Sequence, residues 1–242
     1  MENLNSNKIL YFGVILIIGL IISATIVSET MYKMKQLENT LSVTGSAKEK
    51  VVSDIVKWNG NFSRTVGIAE LKNGYDQMKT DESIVLNFLK DSGIEEKNII
   101  ISAVTVEEPY RYDSNAPQQY TLRQNMEVSS NDVNKITNLS KNIQPIIDKG
   151  VVFSTLYLQY YYSKLPEARV NLLDNAIKDA KARAEKIAQS SGKKVGVIKS
   201  ASMGVVQVLP VNSTDISDWG NYDTSTIEKE ITVTVKALFT IK

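Results

Sequence analysis

Residues 230–242 read EITVTVKALFTIK, and this stretch decides the class of fold. Apolar side chains alternate there with mostly polar ones, and a period of two predicts a strand with one buried face. Such a strand needs partners, because an unpaired strand leaves its backbone donors and acceptors unmatched. The apolar positions are Ile231, Val233, Val235, Ala237, Phe239 and Ile241.

A long amphipathic helix is predicted upstream of this strand, from Pro166 to Gly192. Proline suits the first turn of a helix, and glycine commonly follows the last. The face opposite the apolar stripe carries charged pairs spaced four residues apart, which stabilise an exposed helix surface. The predicted inward positions are Leu173, Ala176, Ile177, Ala180, Ala184, Ile187 and Ala188.

The remaining patterns add two helices and six strands. Strands and helices alternate without a regular strand–helix–strand repeat, which favours an α+β fold with a largely antiparallel sheet and helices packed on it. Residues 46–50 are predicted as a turn, and the strands on either side of it as a hairpin. The further predicted elements are strands at 41–45, 53–62, 99–107, 120–128, 151–162 and 195–201, and helices at 68–92 and 132–147.

A hydrophobic segment without charged residues runs from Ile9 to Val27. As a helix it is about 28 Å long at 1.5 Å per residue, close to the ~30 Å thickness of a bilayer core. We predict a transmembrane signal anchor at 9–28, after a short segment at 1–8 and before a stalk at 29–40. A cleaved signal peptide has a shorter apolar run and a better cleavage site than this segment offers. A core helix is the third interpretation.

The charges beside this segment give no membrane orientation. Lys8 and the amino terminus precede it, while Lys33 and Lys35 follow it, so the positive-inside rule does not choose a side. Residues 41–242 carry no compositional break. One compact unit and two interlocked halves therefore both fit this part of the chain.

The composition disfavours several function classes. The chain has no histidine and no cysteine, which excludes a Ser-His-Asp triad, thiolate chemistry and cysteine-bound metal centres within it. A formal net charge of +1 provides no broad positive field for nucleic acid. We therefore expect no enzymatic activity, no cofactor, no metal and no nucleic-acid partner.

The most unusual local feature is the tyrosine-rich strand at 151–162. If it is extended, Tyr157 and Tyr161 face one side of the sheet, and Tyr160 and Tyr162 face the other. In one interpretation the rings cover helices and the hydroxyls reach solvent past the sheet edge. In another, one face is a subunit interface, where tyrosine is enriched. A ligand platform is the third interpretation.

Two long loops are predicted, at 208–226 and at 109–119. Loops near this length are often functional, so the alternative function is a module that binds a ligand or partner through them. The later loop contains Asp215, Asp218 and Asp223, but their spacing matches no known calcium loop.

Four stretches of the sequence resemble the SIMPL-domain family, in the family's order. They are LSVTGSAKEKVVSDIVKWNGNFSR at 41–64, YDQMKTDESIVLNFLKDSGIEEKNI at 75–99, NAIKDAKARAEKIAQSSGKKVGVIKSASMG at 175–204, and the final EITVTVKALFTIK. Bacterial members include periplasmic oxidative-stress defence proteins and surface immunogens. The resemblance implies an extracytoplasmic, self-assembling domain with no established enzymatic role. We therefore expect a membrane-anchored homo-oligomer of the cell envelope, with a structural or stress-related role.

Overall fold

A computed structural model describes residues 3–37, 39–108, 117–215 and 217–242. The chain divides into two compact units: a first unit of residues 1–47, 171–205 and 233–242, and a second unit of residues 48–170 and 206–232. The helices are α1 (Asn3–Leu37), α2 (Leu71–Asp91), α3 (Val133–Leu139), α4 (Gln144–Ile147) and α5 (Leu165–Ser190). The strands are β1 (Thr40–Val52), β2 (Ile55–Gly67), β3 (Ile99–Ile101), β4 (Thr105–Glu107), β5 (Gln119–Ser130), β6 (Val152–Tyr161), β7 (Val195–Met203), β8 (Gln207–Pro210), β9 (Asn221–Tyr222) and β10 (Glu228–Ile241).

The second unit is built on an antiparallel sheet in the order β3-β5-β2-β6, with β4 also paired to β5. The central strand β2 contains most of the predicted strand at 53–62, and burial alternates along it. Val56, Trp58, Gly60 and Phe62 are buried, and the residues between them are partly exposed. Side chains of α2, α3 and α4 complete the same core. One face of this sheet is therefore covered by helices.

In the first unit β10 lies between β1 and β7. Its Val235, Ala237 and Phe239 are buried against the α5 alanines Ala176, Ala180 and Ala184. Small side chains let the helix lie close to the sheet. Ile187 was predicted to face inward with these alanines, but it is half exposed.

Helix α1 holds the whole predicted anchor and continues through the predicted stalk to Leu37. Its stretch Leu10–Lys35 is long and apolar enough to cross a membrane, and none of it is buried within the protein. An unburied apolar helix is not a core helix, so that interpretation of the segment is wrong. The helix is compatible with a membrane anchor or a signal sequence.

The structure confirms the α+β class, with two mostly antiparallel sheets. The predicted hairpin of β1 and β2 is wrong, because β1 pairs with β10 while β2 pairs with β5 and β6. The two-residue link uses its backbone elsewhere, since Ser53 N–H donates to Ile227 O (2.9 Å) and Asp54 N–H to Tyr161 O (3.0 Å). The predicted turn at 46–50 is also wrong, because β1 continues through it to Val52.

Three other predicted elements are subdivided. The helix at 132–147 is two helices, α3 and α4, since Pro145 lies in the first turn of α4 and starts a new helix. The strand at 99–107 is split into β3 and β4, both paired with β5. The loop at 208–226 contains part of β8 and all of β9, which pair in parallel. Of the loop at 109–119, residues 109–116 lie outside the described part of the chain.

Candidate functional site

The tyrosines of β6 point to both faces of the second unit's sheet. Tyr160 lies opposite the buried Val56 and is itself buried, with its hydroxyl 3.1 Å from the Thr137 hydroxyl. Tyr157 and Tyr161 face the other side, opposite Asn59 and Ile55. Tyr160 is thus a core residue, and only the other face offers its tyrosines to a partner.

Tyr161 and Tyr162 are held by a third aromatic residue, Tyr222. The rings of Tyr161 and Tyr222 stack with centroids 6.0 Å apart, and the Tyr162 N–H donates to the Tyr222 hydroxyl at 2.9 Å. Desolvation and the negative charges of Glu49 and Asp54 raise the pKa of the Tyr162 hydroxyl. These two tyrosines therefore fasten the end of β6 to β9.

The exposed part of β6 is its first half. Strand β6 ends the sheet, with β2 as its single strand neighbour among the described residues. The pairing with β2 contains a bulge, because Asn59 pairs with Tyr157 while the next residue, Gly60, pairs with Thr155. Leu156 therefore has no partner residue on β2. Val152 is 62% exposed, Leu156 50% and Tyr157 53%. We call residues 152–158 the β6 edge.

In the part of the chain that the structure describes, the β6 edge lacks the usual protection of an edge strand. Soluble proteins block such edges with lysine, proline or a covering element, yet residues 152–158 read VFSTLYL. Past the edge, the Tyr160 N–H donates to Thr224 O at 2.8 Å. By the alternation of an antiparallel ladder, the Leu158 N–H points to the same side. An additional strand could therefore pair here and bury apolar side chains.

We call the predicted loop at 208–226 the late loop; a buried polar cluster lies at its end. Lys229 is fully buried; its ammonium donates to Asp223 O (2.7 Å) and Thr226 O (2.5 Å) and lies 3.2 Å from Asp223 Oδ2. The Asp223 carboxylate also accepts from the backbone and hydroxyls of Ser225 and Thr226. Burial opposes ionisation of Asp223, but these hydrogen bonds outweigh it and set its pKa well below the ordinary value. Burial also opposes the charged form of Lys229 and lowers the pKa of its ammonium.

This cluster is a structural clamp. Among the described residues, the hydrogen bonds of the Lys229 ammonium go to Asp223 and Thr226 of the adjoining loop, and the ring of Tyr222 lies 5.9 Å from it. The carboxylate of Asp223 takes part in the clamp, and the carboxylate of Asp215 accepts a hydrogen bond from the Ser213 hydroxyl. The described residues contain no group of three acidic side chains placed to hold a metal ion.

The tip of the late loop carries Trp219, which is 94% exposed. Tryptophan buries a large apolar surface when it is covered, so an exposed one on a fastened loop is a candidate contact for a partner. Gly220 follows it with a φ of 82°, a left-handed conformation that favours glycine. The sequence indicated the loop, but not that its tryptophan points to solvent.

The sequence contains two adjacent acidic pairs, Glu95–Glu96 and Glu107–Glu108, and neither forms a site. Glu95 and Glu96 form exposed ion pairs with Lys97 (2.6 Å) and Lys90 (2.8 Å), whose hydrogen bonds lower the pKa of each carboxylate. Glu107 lies 3.6 Å from Arg123. These contacts stabilise turns and strand ends and bring no two carboxylates together.

Besides the Lys229–Asp223 pair, sequence reasoning missed a second buried ion pair among the described residues. The Arg64 guanidinium donates two hydrogen bonds to the fully buried Asp81, at 2.5 and 2.7 Å, and the Asp81 hydrogen bond raises the pKa of Arg64. The signal was available, since Asp81 lies on the same helix face as Met78 and Val85. The Arg64–Asp81 ion pair belongs to the core and not to a functional site.

A comparison with family models identifies the family of this chain. The model of the SIMPL family, described as a protein of unknown function (DUF541), matches residues 41–239. The chain therefore belongs to the SIMPL family. A search of curated proteins returns no match.

Proposed function

We propose that the protein is a non-enzymatic, membrane-anchored component of the cell envelope that assembles into homo-oligomers through the β6 edge. The observation that carries the proposal is the row of exposed apolar side chains on an unprotected edge strand, Val152, Leu156 and Tyr157. Pairing with a second copy satisfies the outward backbone groups of the strand and removes these side chains from water.

Anchoring supports assembly. Chains attached to one bilayer by α1 share a thin layer, which raises their local concentration and favours weak contacts between copies. The extracytoplasmic side is the side that we propose, because the family resemblance implies it. A stress-related role within the envelope is part of the same proposal. The absence of histidine and cysteine supports a role other than catalysis.

The test is the native mass of the full-length protein in detergent. We expect multi-angle light scattering to give several chains per particle for the wild type. The double variant Leu156→Lys/Tyr157→Lys places charges on the edge and is expected to give single chains. A wild type that stays monomeric at high micromolar concentration overturns the assembly.

A matched control separates the edge from general surface charge. Ile68 and Val170 are also exposed apolar residues of the second unit, at 57% and 68%, but they lie outside β6. Ile68→Lys/Val170→Lys adds the same charge and is expected to keep the wild-type mass. If both double variants dissociate equally, the β6 edge is not the interface. Screening the purified protein for bound metal and for hydrolase activity tests the non-enzymatic part.

Trp219 favours a second candidate function, a module that captures a ligand or partner with the late loop. Deleting this loop would remove the Asp223–Lys229 clamp, so a single substitution is the sharper test. Trp219→Ser is expected to abolish partner capture while the buried Trp58 still reports a folded core by its fluorescence. Unchanged capture by Trp219→Ser excludes the loop tip as the contact.

A further inference from the structure

The structure places a group of lysines beside the end of α1. An open cleft of about 780 Å³ in the first unit is lined by the side chains of Lys33, Lys193 and Lys242, together with Asn39, Val197, Thr240 and Ile241. Lys194 borders an adjoining cleft with Lys193. We call Lys193, Lys194 and Lys242 the basal lysines; all three are exposed.

Backbone hydrogen bonds fix the basal lysines to the chain that leaves α1. The Lys194 N–H donates to Lys242 O (2.8 Å), and the Lys242 N–H donates back to Lys194 O (2.9 Å). The Ile241 N–H donates to Asn39 O at 3.0 Å. Asn39 follows α1 almost directly, so the basal lysines cannot lie far from the end of that helix.

The length of α1 sets their height above a membrane. If the hydrocarbon ends near Val27, Lys33 lies about 9 Å and Leu37 about 15 Å beyond it along the helix, at 1.5 Å per residue. The headgroup layer of one leaflet is roughly 5–8 Å thick, and charges act over a Debye length of about 8 Å at physiological salt. The basal lysines are thus within electrostatic reach of the headgroups.

Within the described residues, acidic side chains near this group are paired with other lysines. Glu29 is paired with Lys33 at 2.8 Å, and Glu185, in the adjoining cleft, lies 3.9 Å from Lys181. In the described part of the chain, no carboxylate forms an ion pair with the ammonium of Lys193, Lys194 or Lys242. The three ammonium groups therefore remain available.

We propose that the basal lysines bind the phosphate groups of anionic phospholipids in the membrane that holds α1. This inference rests on the membrane-anchor part of the proposed function. Binding by the basal lysines adds an electrostatic contact to the apolar contact of α1 with lipid, so that the first unit is held against an acidic bilayer surface. Each lysine near such a surface contributes about 1 kcal/mol, or roughly a fivefold change in the docked population.

The experiment uses the full chain in nanodiscs of phosphatidylcholine, with or without phosphatidylglycerol. Because the chain has no cysteine, Gln189→Cys gives a single attachment site for a dye near the C-terminal end of α5. Spin-labelled headgroups then quench the dye when the first unit docks. We expect stronger quenching with phosphatidylglycerol, and a loss of the difference at high salt.

Two triple variants decide the assignment. Lys193→Gln/Lys194→Gln/Lys242→Gln is expected to abolish the effect of phosphatidylglycerol. Lys72→Gln/Lys79→Gln/Lys149→Gln removes the same charge from exposed lysines of the second unit and is expected to keep it. The proposal is overturned if the wild type shows no lipid dependence, or if both triple variants lose it alike.

The readouts separate failure of this site from failure of the anchor. Incorporation into pure phosphatidylcholine discs depends on α1 alone, and a chain that does not incorporate contradicts the anchor. A chain that incorporates but shows no response to phosphatidylglycerol contradicts the lipid site alone. Adding free inorganic phosphate distinguishes lipid phosphate from soluble phosphate as the bound group. Free phosphate would compete for a soluble-phosphate site and abolish the quenching difference. Docking on a bilayer surface would weaken only as much as the added salt weakens it.

Discussion

At the scale of single residues, Gly45 shows how closely the sheet of the first unit approaches its helix. A Cβ atom at this position of β1 would overlap the backbone of Ala176 and Ala180 in α5. Backbone atoms cannot move aside as a flexible side chain can. The alanines of α5 and the glycine of β1 therefore form one close contact, which only the smallest residues permit.

We predict that Gly45→Ala destabilises the protein. Forcing a methyl group into a packed contact costs about 1–3 kcal/mol. Thermal unfolding should show a lower Tm than the wild type. Gly67→Ala is the control, because its Cβ would meet no atom within 4 Å and its φ of −71° suits any residue. A Tm for Gly45→Ala equal to that of the control would show that helix and strand are further apart.

The Asp223–Lys229 clamp gives a second prediction at this scale. Asp223→Ala leaves the ammonium of Lys229 buried without its carboxylate, and breaking such a pair costs about 3 kcal/mol. Denaturant unfolding at pH 7 measures the loss. Asp215→Ala removes an exposed carboxylate bonded to Ser213 and should change the free energy of unfolding very little.

The pH dependence of this variant follows from the pKa of Asp223. The folded pKa lies below the unfolded value of about 3.9, so the carboxylate stabilises the protein above pH 4. That contribution is lost as the pH falls towards the folded pKa. The difference between wild type and Asp223→Ala should therefore shrink in acid, and a difference independent of pH would exclude an ionised Asp223.

At the scale of elements, α1 is a single continuous helix in which the predicted anchor and stalk are not separate. We predict that membrane fractions contain the chain with residues 1–28 still attached. Intact-mass measurement of the extracted protein checks this. A mature chain that starts after Ser28 would establish a cleaved signal peptide instead.

A charge placed in α1 tests the anchor itself. Ile18→Lys puts an ammonium near the middle of the span, at a cost of roughly 2.5–3.5 kcal/mol, and should reduce the membrane-bound fraction. Met31→Lys, beyond the span, should not. Equal behaviour of the two variants would mean that the helix is not held in lipid.

At the scale of the whole molecule, the missing cysteines make membrane topology easy to measure. If the globular part is extracytoplasmic, a membrane-impermeant maleimide should label Asp218→Cys in intact cells and Glu2→Cys only after lysis. The late loop is suitable because Asp218 is exposed. The reverse labelling pattern would place residues 41–242 in the cytoplasm.

The sequence by itself determined the α+β class, the apolar α1, the buried faces of β2 and β10, and the family. These features depend on local periodicity, and a period of 2 or 3.6 residues is visible without knowing the partner. It also placed the tyrosines of β6 on alternate faces.

Only the tertiary structure decided which strands pair and which side chains remain exposed. Adjacent strands β1 and β2 read as a hairpin, but pairing depends on distant segments such as β10 and β5. The bulge that exposes Leu156 and the group of basal lysines each join residues far apart in the chain. The contacts of the Lys229 clamp are local, but their burial depends on the fold around them. Long-range contacts and burial are selected by the packing of the whole fold, so no local pattern records them.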